Sequence, residues 1–69
     1  MSESILTIAY KGLFSACREI SFENYDDARE FMMGEFDSCD AMSAMITQLK
    51  NYKETKFTIN PKGEVIEHD

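Results

Sequence analysis

A chain of 69 residues has the length of one small domain, and its net charge of −6 disfavours several classes of partner. Thirteen acidic residues against seven basic ones repel nucleic-acid phosphates and anionic lipid surfaces, and attract cationic partners. A hydrophobic content of 43% excludes a disordered chain, and no apolar run approaches the roughly 18 residues of a membrane span. We therefore expect one folded domain, residues 1–69, that binds neither nucleic acid directly nor a membrane.

The first two predicted elements are strands joined by a hairpin. Residues 4–10 alternate between two faces, as in a half-buried strand, and Lys11-Gly12 predicts the turn. A longer strand, residues 13–22, follows. Its apolar face also holds Arg18, and this conflict predicts either a bulge there or a strand end that turns into solvent.

A first helix is predicted after Asn24, a good N-cap residue. Asp26 and Asp27 fall in its first turn, where carboxylates meet the positive end of the helix dipole. Its apolar stripe comprises Tyr25, Ala28, Phe31 and Met32. A longer helix would place Glu35 in this stripe, so we expect the helix to end at Gly34.

A second helix is predicted to start at Asp37 or Ser38, with Asp40 in its first turn. Lys50 and Lys53 near its C-terminal end have the sign that the dipole favours there. The spacing i, i+3, i+4, i+7 is shared by Cys39, Met42, Met45, Ile46, Leu49 and Tyr52.

Two short strands are predicted to complete the chain, residues 56–60 and residues 64–67. Phe57 and Ile59 should point inward, and residues 60–63, Asn-Pro-Lys-Gly, predict a tight turn between the strands. The resulting ββααββ order predicts an α+β fold, a small antiparallel sheet with two helices packed on one face.

The sequence contains no motif for catalysis, metal binding or cofactor binding. Its one histidine, His68, stands one residue from the C-terminus, where a general base lacks a fixed position. We expect Cys17 and Cys39 to be reduced thiols in the cytosol, since the N-terminus lacks the features of a secretory signal. The prediction is a protein that is not an enzyme and uses no cofactor; a Cys17–His68 or Cys39–His68 dyad is the remaining enzymatic alternative.

Negative charge is concentrated in residues 19–40, which hold eight acids and one base, while the remainder of the chain has a net charge of +1. Helix dipoles explain Asp26, Asp27, Asp37 and Asp40, which suit the two predicted helix starts. They do not explain Glu19, Glu23, Glu30 and Glu35. The segment therefore predicts a negative surface for a basic partner, with a merely solvated face as the alternative.

In size, acidity, segregated charge and lack of catalytic motifs, the chain resembles the small anti-CRISPR and anti-restriction proteins that phages use against bacterial defences. The resemblance implies an inhibitor, monomer or homodimer, in the host cytosol. As a nucleic-acid mimic it would occupy a basic nucleic-acid-binding surface or subunit interface of a defence complex. The principal contacts would be Glu23, Asp26, Asp27 and Glu30, with Glu35, Asp37 and Asp40 at the margin.

Two other binding functions remain open. The chain could be an antitoxin that blocks a toxin, or a self-associating scaffold subunit. A scaffold would use an apolar surface, such as the sheet face that carries Ile5, Thr7 and Leu13.

Overall fold

The computed structural model describes residues 3–12, 16–38 and 41–68, with Ser38 described by its backbone. Within these ranges it is a five-stranded antiparallel sheet with one helix packed on one face. In chain order the elements are β1 (Ser4–Tyr10), β2 (Ala16–Phe22), α1 (Tyr25–Ser38), β3 (Ala41–Gln48), β4 (Lys53–Ile59) and β5 (Val65–His68). The strands stand in the order β2-β1-β3-β4-β5, which makes β2 and β5 the edges.

The core lies between the helix and one face of the sheet. Along β1 the side chains alternate, so that Leu6 and Ile8 are buried beneath α1 while Ile5 and Thr7 lie on the opposite, open face. Burying each large apolar side chain contributes about 1.5–3 kcal/mol. The buried hydrophobic residues are Leu6, Ile8, Ala28, Met32, Phe36, Ala41, Ala44, Ile46 and Phe57.

The predicted second helix is wrong, because its first half is strand β3 and its second half is a turn followed by the start of β4. Ala9 pairs with Ser43 and Tyr10 with Ala41, so Met42 is an extra residue in a β-bulge. The bulge shifts the alternation, so that Ala41, Ala44 and Ile46 reach the core. Of the predicted stripe only Ile46 is buried among the described residues, whereas Met42, Leu49 and Tyr52 are exposed; Cys39 lies outside the described residues.

The order of elements is consequently ββαβββ with one helix, and the predicted ββααββ order with two helices is wrong. The prediction that the first helix ends at Gly34 is also wrong, because α1 continues to Ser38. Asp37 therefore lies in the last turn of α1 instead of starting a second helix, and Asp40 lies outside the described residues.

The remaining strands lie close to their predicted positions. Strand β1 has the predicted bounds, and the described part of β2 pairs with it in regular register. Of the two alternatives predicted at Arg18, the bulge is absent from the described part of β2, and the strand end in solvent agrees with the exposure of residues 16–19. Residues 13–15 lie outside the described residues. In the last turn the Asn60 carbonyl accepts a hydrogen bond from the Gly63 amide at 2.9 Å. Gly63 has a φ of 87°, a backbone conformation that favours glycine.

Candidate partner-binding surface

The outward side of α1 carries four exposed carboxylates: Asp26, Asp27, Glu30 and Asp37. The core side of the helix is formed by Ala28, Met32 and Phe36, so these acids lie on the far side of the helix axis. They fall within twelve residues, about 16 Å along the axis. We call these four residues the acidic helix face.

Helix stability accounts for two of these four carboxylates. Asn24 caps α1, its side-chain Oδ1 accepting a hydrogen bond from the Asp27 amide at 2.8 Å, and its Nδ2 donates to the Asp27 carboxylate at 3.2 Å. Asp26 also lies in the first turn, where the dipole favours it. Asp37 lies in the last turn, which contains no basic residue, and there the dipole disfavours a carboxylate.

The carboxylates of the acidic helix face also repel one another. Asp26 and Glu30 stand at i and i+4, a spacing at which like charges destabilise a helix by about 0.2–0.5 kcal/mol. Within the described residues the one ion pair joins Arg18 to Glu35, at 3.5 Å, and it involves none of the four acids. Arg29, the one basic residue of α1, stands at i+3 from Asp26, yet it forms no ion pair with any of the four acids.

The other predicted contact residues are distributed differently. Glu23 is exposed in the short connection that leads into α1, next to the first turn. Glu35 is turned inward: its side chain is 14% exposed, and its Oε1 accepts a hydrogen bond from the Tyr10 hydroxyl at 2.7 Å. Asp40 lies outside the described residues. Glu19, an acid of the same segment that was not a predicted contact, pairs with Thr7 and shares its sheet face, opposite the helix. The structure thus brings Glu23 and the acidic helix face together and excludes Glu19.

A groove runs between α1 and the edge strand β2 and has a volume of about 600 Å³. Two phenyl rings form its floor, those of Phe22 and Phe31, with centroids 5.5 Å apart and planes inclined at 49°. The Arg18 guanidinium lies 5.8 Å from the Phe31 centroid. The lining residues are Phe22, Asp27, Glu30, Phe31, Gly34 and Glu35.

Sequence reasoning missed the contributions of Arg18, Phe22 and Phe31 to this surface. One signal was available: Arg18 and Glu35 each interrupt an apolar stripe, and their charges are opposite. In the structure they pair at 3.5 Å beside Tyr10. Burial, followed by the hydrogen bond and negative charge of Glu35, raises the pKa of the Tyr10 phenol above its ordinary 10.0.

The residues considered for catalysis are far apart. Cys17 is exposed on the edge strand β2, whereas His68 lies on β5 at the other edge, four strand spacings or about 19 Å away. The His68 Nε2 lies 2.7 Å from the Thr58 hydroxyl. The Cys17–His68 dyad is therefore not formed, and Cys39 lies outside the described residues. No group of three or more His, Cys, Asp or Glu side chains placed to hold a metal ion occurs in residues 3–12, 16–38 and 41–68.

Comparisons of this chain with protein-family models, with curated proteins and with solved structures found no match. Across the part of the chain that the structure describes, no helix combines the length and the apolar character needed to cross a bilayer. Function is therefore inferred from the acidic helix face and the adjoining groove.

Proposed function

We propose that this chain is a non-enzymatic binding protein that docks its acidic helix face on the basic surface of a nucleic-acid-binding protein. One observation carries the proposal: Asp26, Glu30 and Asp37 lie along one side of a helix, and none of them forms an ion pair with a described residue. Asp37 lowers the stability of its own helix, so its position favours a role in binding.

A helix is a suitable carrier for such charges. It holds the carboxylates in fixed positions, so little conformational entropy is lost when a partner binds. Carboxylates one turn apart, about 5–6 Å between Cβ atoms, can meet neighbouring Lys and Arg side chains on a surface built for phosphates. Such a field accelerates association and makes binding sensitive to salt.

We further propose that the partner belongs to a bacterial defence complex, in the manner of the anti-CRISPR and anti-restriction proteins that the chain resembles. Binding would exclude nucleic acid from the basic surface by occupying it. The site of action would be the cytosol of the host cell. No catalytic group takes part in this function.

Plaque formation in bacteria with defined defences tests the proposal. The chain is expressed in strains that each carry one CRISPR or restriction system, and the efficiency of phage plating is measured. We expect the chain to protect the phage from the defence, and so to raise the efficiency of plating, in at least one strain. The variant Asp26→Asn, Glu30→Gln, Asp37→Asn should lose it, because removing three contact charges weakens binding by about 10- to 100-fold.

A matched control separates local charge from net charge. The variant Glu19→Gln, Glu54→Gln, Glu67→Gln makes the same change in net charge on the strands, away from the helix face, and should keep its protection. Circular dichroism checks that both variants are folded. Protection in no strain, or equal protection by the two variants, would contradict the proposed function.

The open sheet face supports a second candidate, a self-associating scaffold subunit. Ile5, Thr7 and Met45 are half-buried on the face that no described helix covers, and Thr7 and Met45 line a hollow of about 230 Å³ there. Two copies stacked through this face would bury it on both sides. Such a dimer would persist at high salt, in contrast to a complex held by the acidic helix face.

A further inference from the structure

We infer that the groove between β2 and α1 is a binding site for one arginine side chain of the basic partner. The inference rests on the proposed function and adds the chemistry of the side chain that is recognised. The acidic helix face alone would accept lysine and arginine equally well, whereas the groove distinguishes them.

The floor of the groove favours a guanidinium group. Phe22 and Phe31 form a tilted aromatic pair, with centroids 5.5 Å apart, that presents ring surface to the groove. A guanidinium is planar and weakly hydrated, so it stacks on a phenyl face with little loss of solvation. An ammonium is compact and strongly hydrated, and it loses more when it leaves water.

The carboxylates beside the floor complement the planar fork of arginine. Asp27 and Glu30 line the groove from the helix side, and no ion pair to a described residue engages them. The five N–H donors of a guanidinium can reach carboxylates on two sides while its plane lies on a ring. Glu35, at the other end of the groove, is already paired with Arg18.

Arg18 shows that this surface accepts a guanidinium. Its Cζ lies 5.8 Å from the Phe31 centroid and its Nη1 lies 3.5 Å from the Glu35 carboxylate, which combines an aromatic face with an acid. The Arg18 side chain remains 59% exposed and does not line the groove. A second guanidinium can therefore bind in the groove between Asp27 and Glu30.

Gly34 keeps the groove open at a cost to the helix. Glycine in an exposed helix interior is less favourable than alanine, and a Cβ built at this position meets no atom within 4 Å. Packing therefore does not require a glycine here. Residue 34 lines the groove, so a side chain there would fill part of it. We therefore attribute the glycine at this position to binding.

Two peptides measure the preference directly. An acetylated, amidated Gly-Ser-Arg-Ser-Gly and its lysine counterpart are titrated into the ¹⁵N-labelled chain, and amide shifts are followed by NMR. We expect the arginine peptide to bind at least about threefold more tightly, with shifts at Phe31 and Gly34.

Two variants test the groove without weakening the fold. Gly34→Leu should raise the thermal midpoint by about 4–8 °C and abolish the preference for arginine, because its side chain occupies the groove. Gly34→Ala should raise the midpoint similarly and keep the preference. Equal affinity for both peptides, or an unchanged preference in Gly34→Leu, would overturn the inference that the groove binds arginine, but not the proposed role of the acidic helix face. Binding of neither peptide would also overturn that inference, while plaque formation tests the proposed function separately.

Discussion

At the scale of single residues, the contact among Tyr10, Arg18 and Glu35 joins three elements. Tyr10 comes from β1, Arg18 from the edge strand β2 and Glu35 from α1. The phenol donates to the carboxylate at 2.7 Å and the guanidinium lies 3.5 Å from the same oxygen. A carboxylate that is 14% exposed is thereby satisfied, and the helix can continue past it.

Removing the Tyr10 hydroxyl should change both stability and its dependence on pH. Because the folded state raises the phenol pKa above 10.0, it holds that proton more tightly than the unfolded chain. The resulting stability is fully present below pH 10 and is lost as the pH rises through the raised pKa. Tyr10→Phe should cost about 1–3 kcal/mol at neutral pH, because the Glu35 carboxylate loses the hydrogen bond from the phenol, and should flatten the alkaline loss of stability.

Urea unfolding from pH 8 to pH 11 measures this prediction. Tyr52→Phe, at a ring that is 81% exposed, removes a hydroxyl outside the core and serves as the matched control. Parallel stability curves for wild type and Tyr10→Phe across this range would show that the phenol proton is not held by Glu35.

The same contact shows why sequence reasoning placed the helix end wrongly. Arg18 on an apolar strand face predicted a bulge or an exposed strand end, and residues 16–19 are exposed. Glu35 in an apolar helix stripe predicted a helix end, but α1 continues to Ser38. The two misplaced charges neutralise each other across 17 positions of sequence. Residue periodicity is a local signal and does not contain that long-range pairing.

At the scale of elements, α1 combines a stabilised start with a destabilised end. Asn24 and two carboxylates favour its first turn, whereas Asp37 opposes the dipole in its last turn. Natural helices normally place Lys or Arg in the last turn, and α1 has neither there. The acids along the whole length of the helix therefore lower its stability at the C-terminal end.

Two isosteric substitutions should consequently have opposite effects on the free energy of unfolding. Asp37→Asn should raise it by about 0.3–1 kcal/mol, and Asp26→Asn should lower it by a similar amount. Both remove one negative charge, so each is the control for the other, and both should weaken partner binding. Chemical denaturation at low salt measures the two values; a change in the same direction for both would refute the dipole interpretation.

Strand β3 illustrates how the predicted elements were mistaken. Its bulge at Met42 shifts the alternation, so Ala41, Ala44 and Ile46 reach the core with spacings of three and two. The predicted stripe put Met45 and Ile46 on one helix face, whereas in the strand Met45 lies on the open face and Ile46 in the core. Strands β1 and β4 carry no such irregularity. Alternation predicted their strand character and, in β4, the inward positions of Phe57 and Ile59.

At the scale of the whole molecule, the fold separates two kinds of surface. One side of the sheet is covered by α1 and carries the acidic helix face and the groove, while the other side has no helical cover in the described ranges. The concentration of charge in residues 19–40 was evident from the sequence. The placement of five of its eight acids on a single helix was not, because that depended on where α1 ends and on β3 being a strand.

Cross-saturation NMR on the deuterated, ¹⁵N-labelled chain, bound to the defence complex against which it protects, tests the central claim most directly. The method identifies amides that lie against the unlabelled partner. The account predicts attenuated signals in residues 23–37, including Asp26, Glu30 and Gly34. Attenuation confined to the open sheet face, at Ile5, Thr7 and Thr47, would contradict it and assign binding to the other side of the molecule.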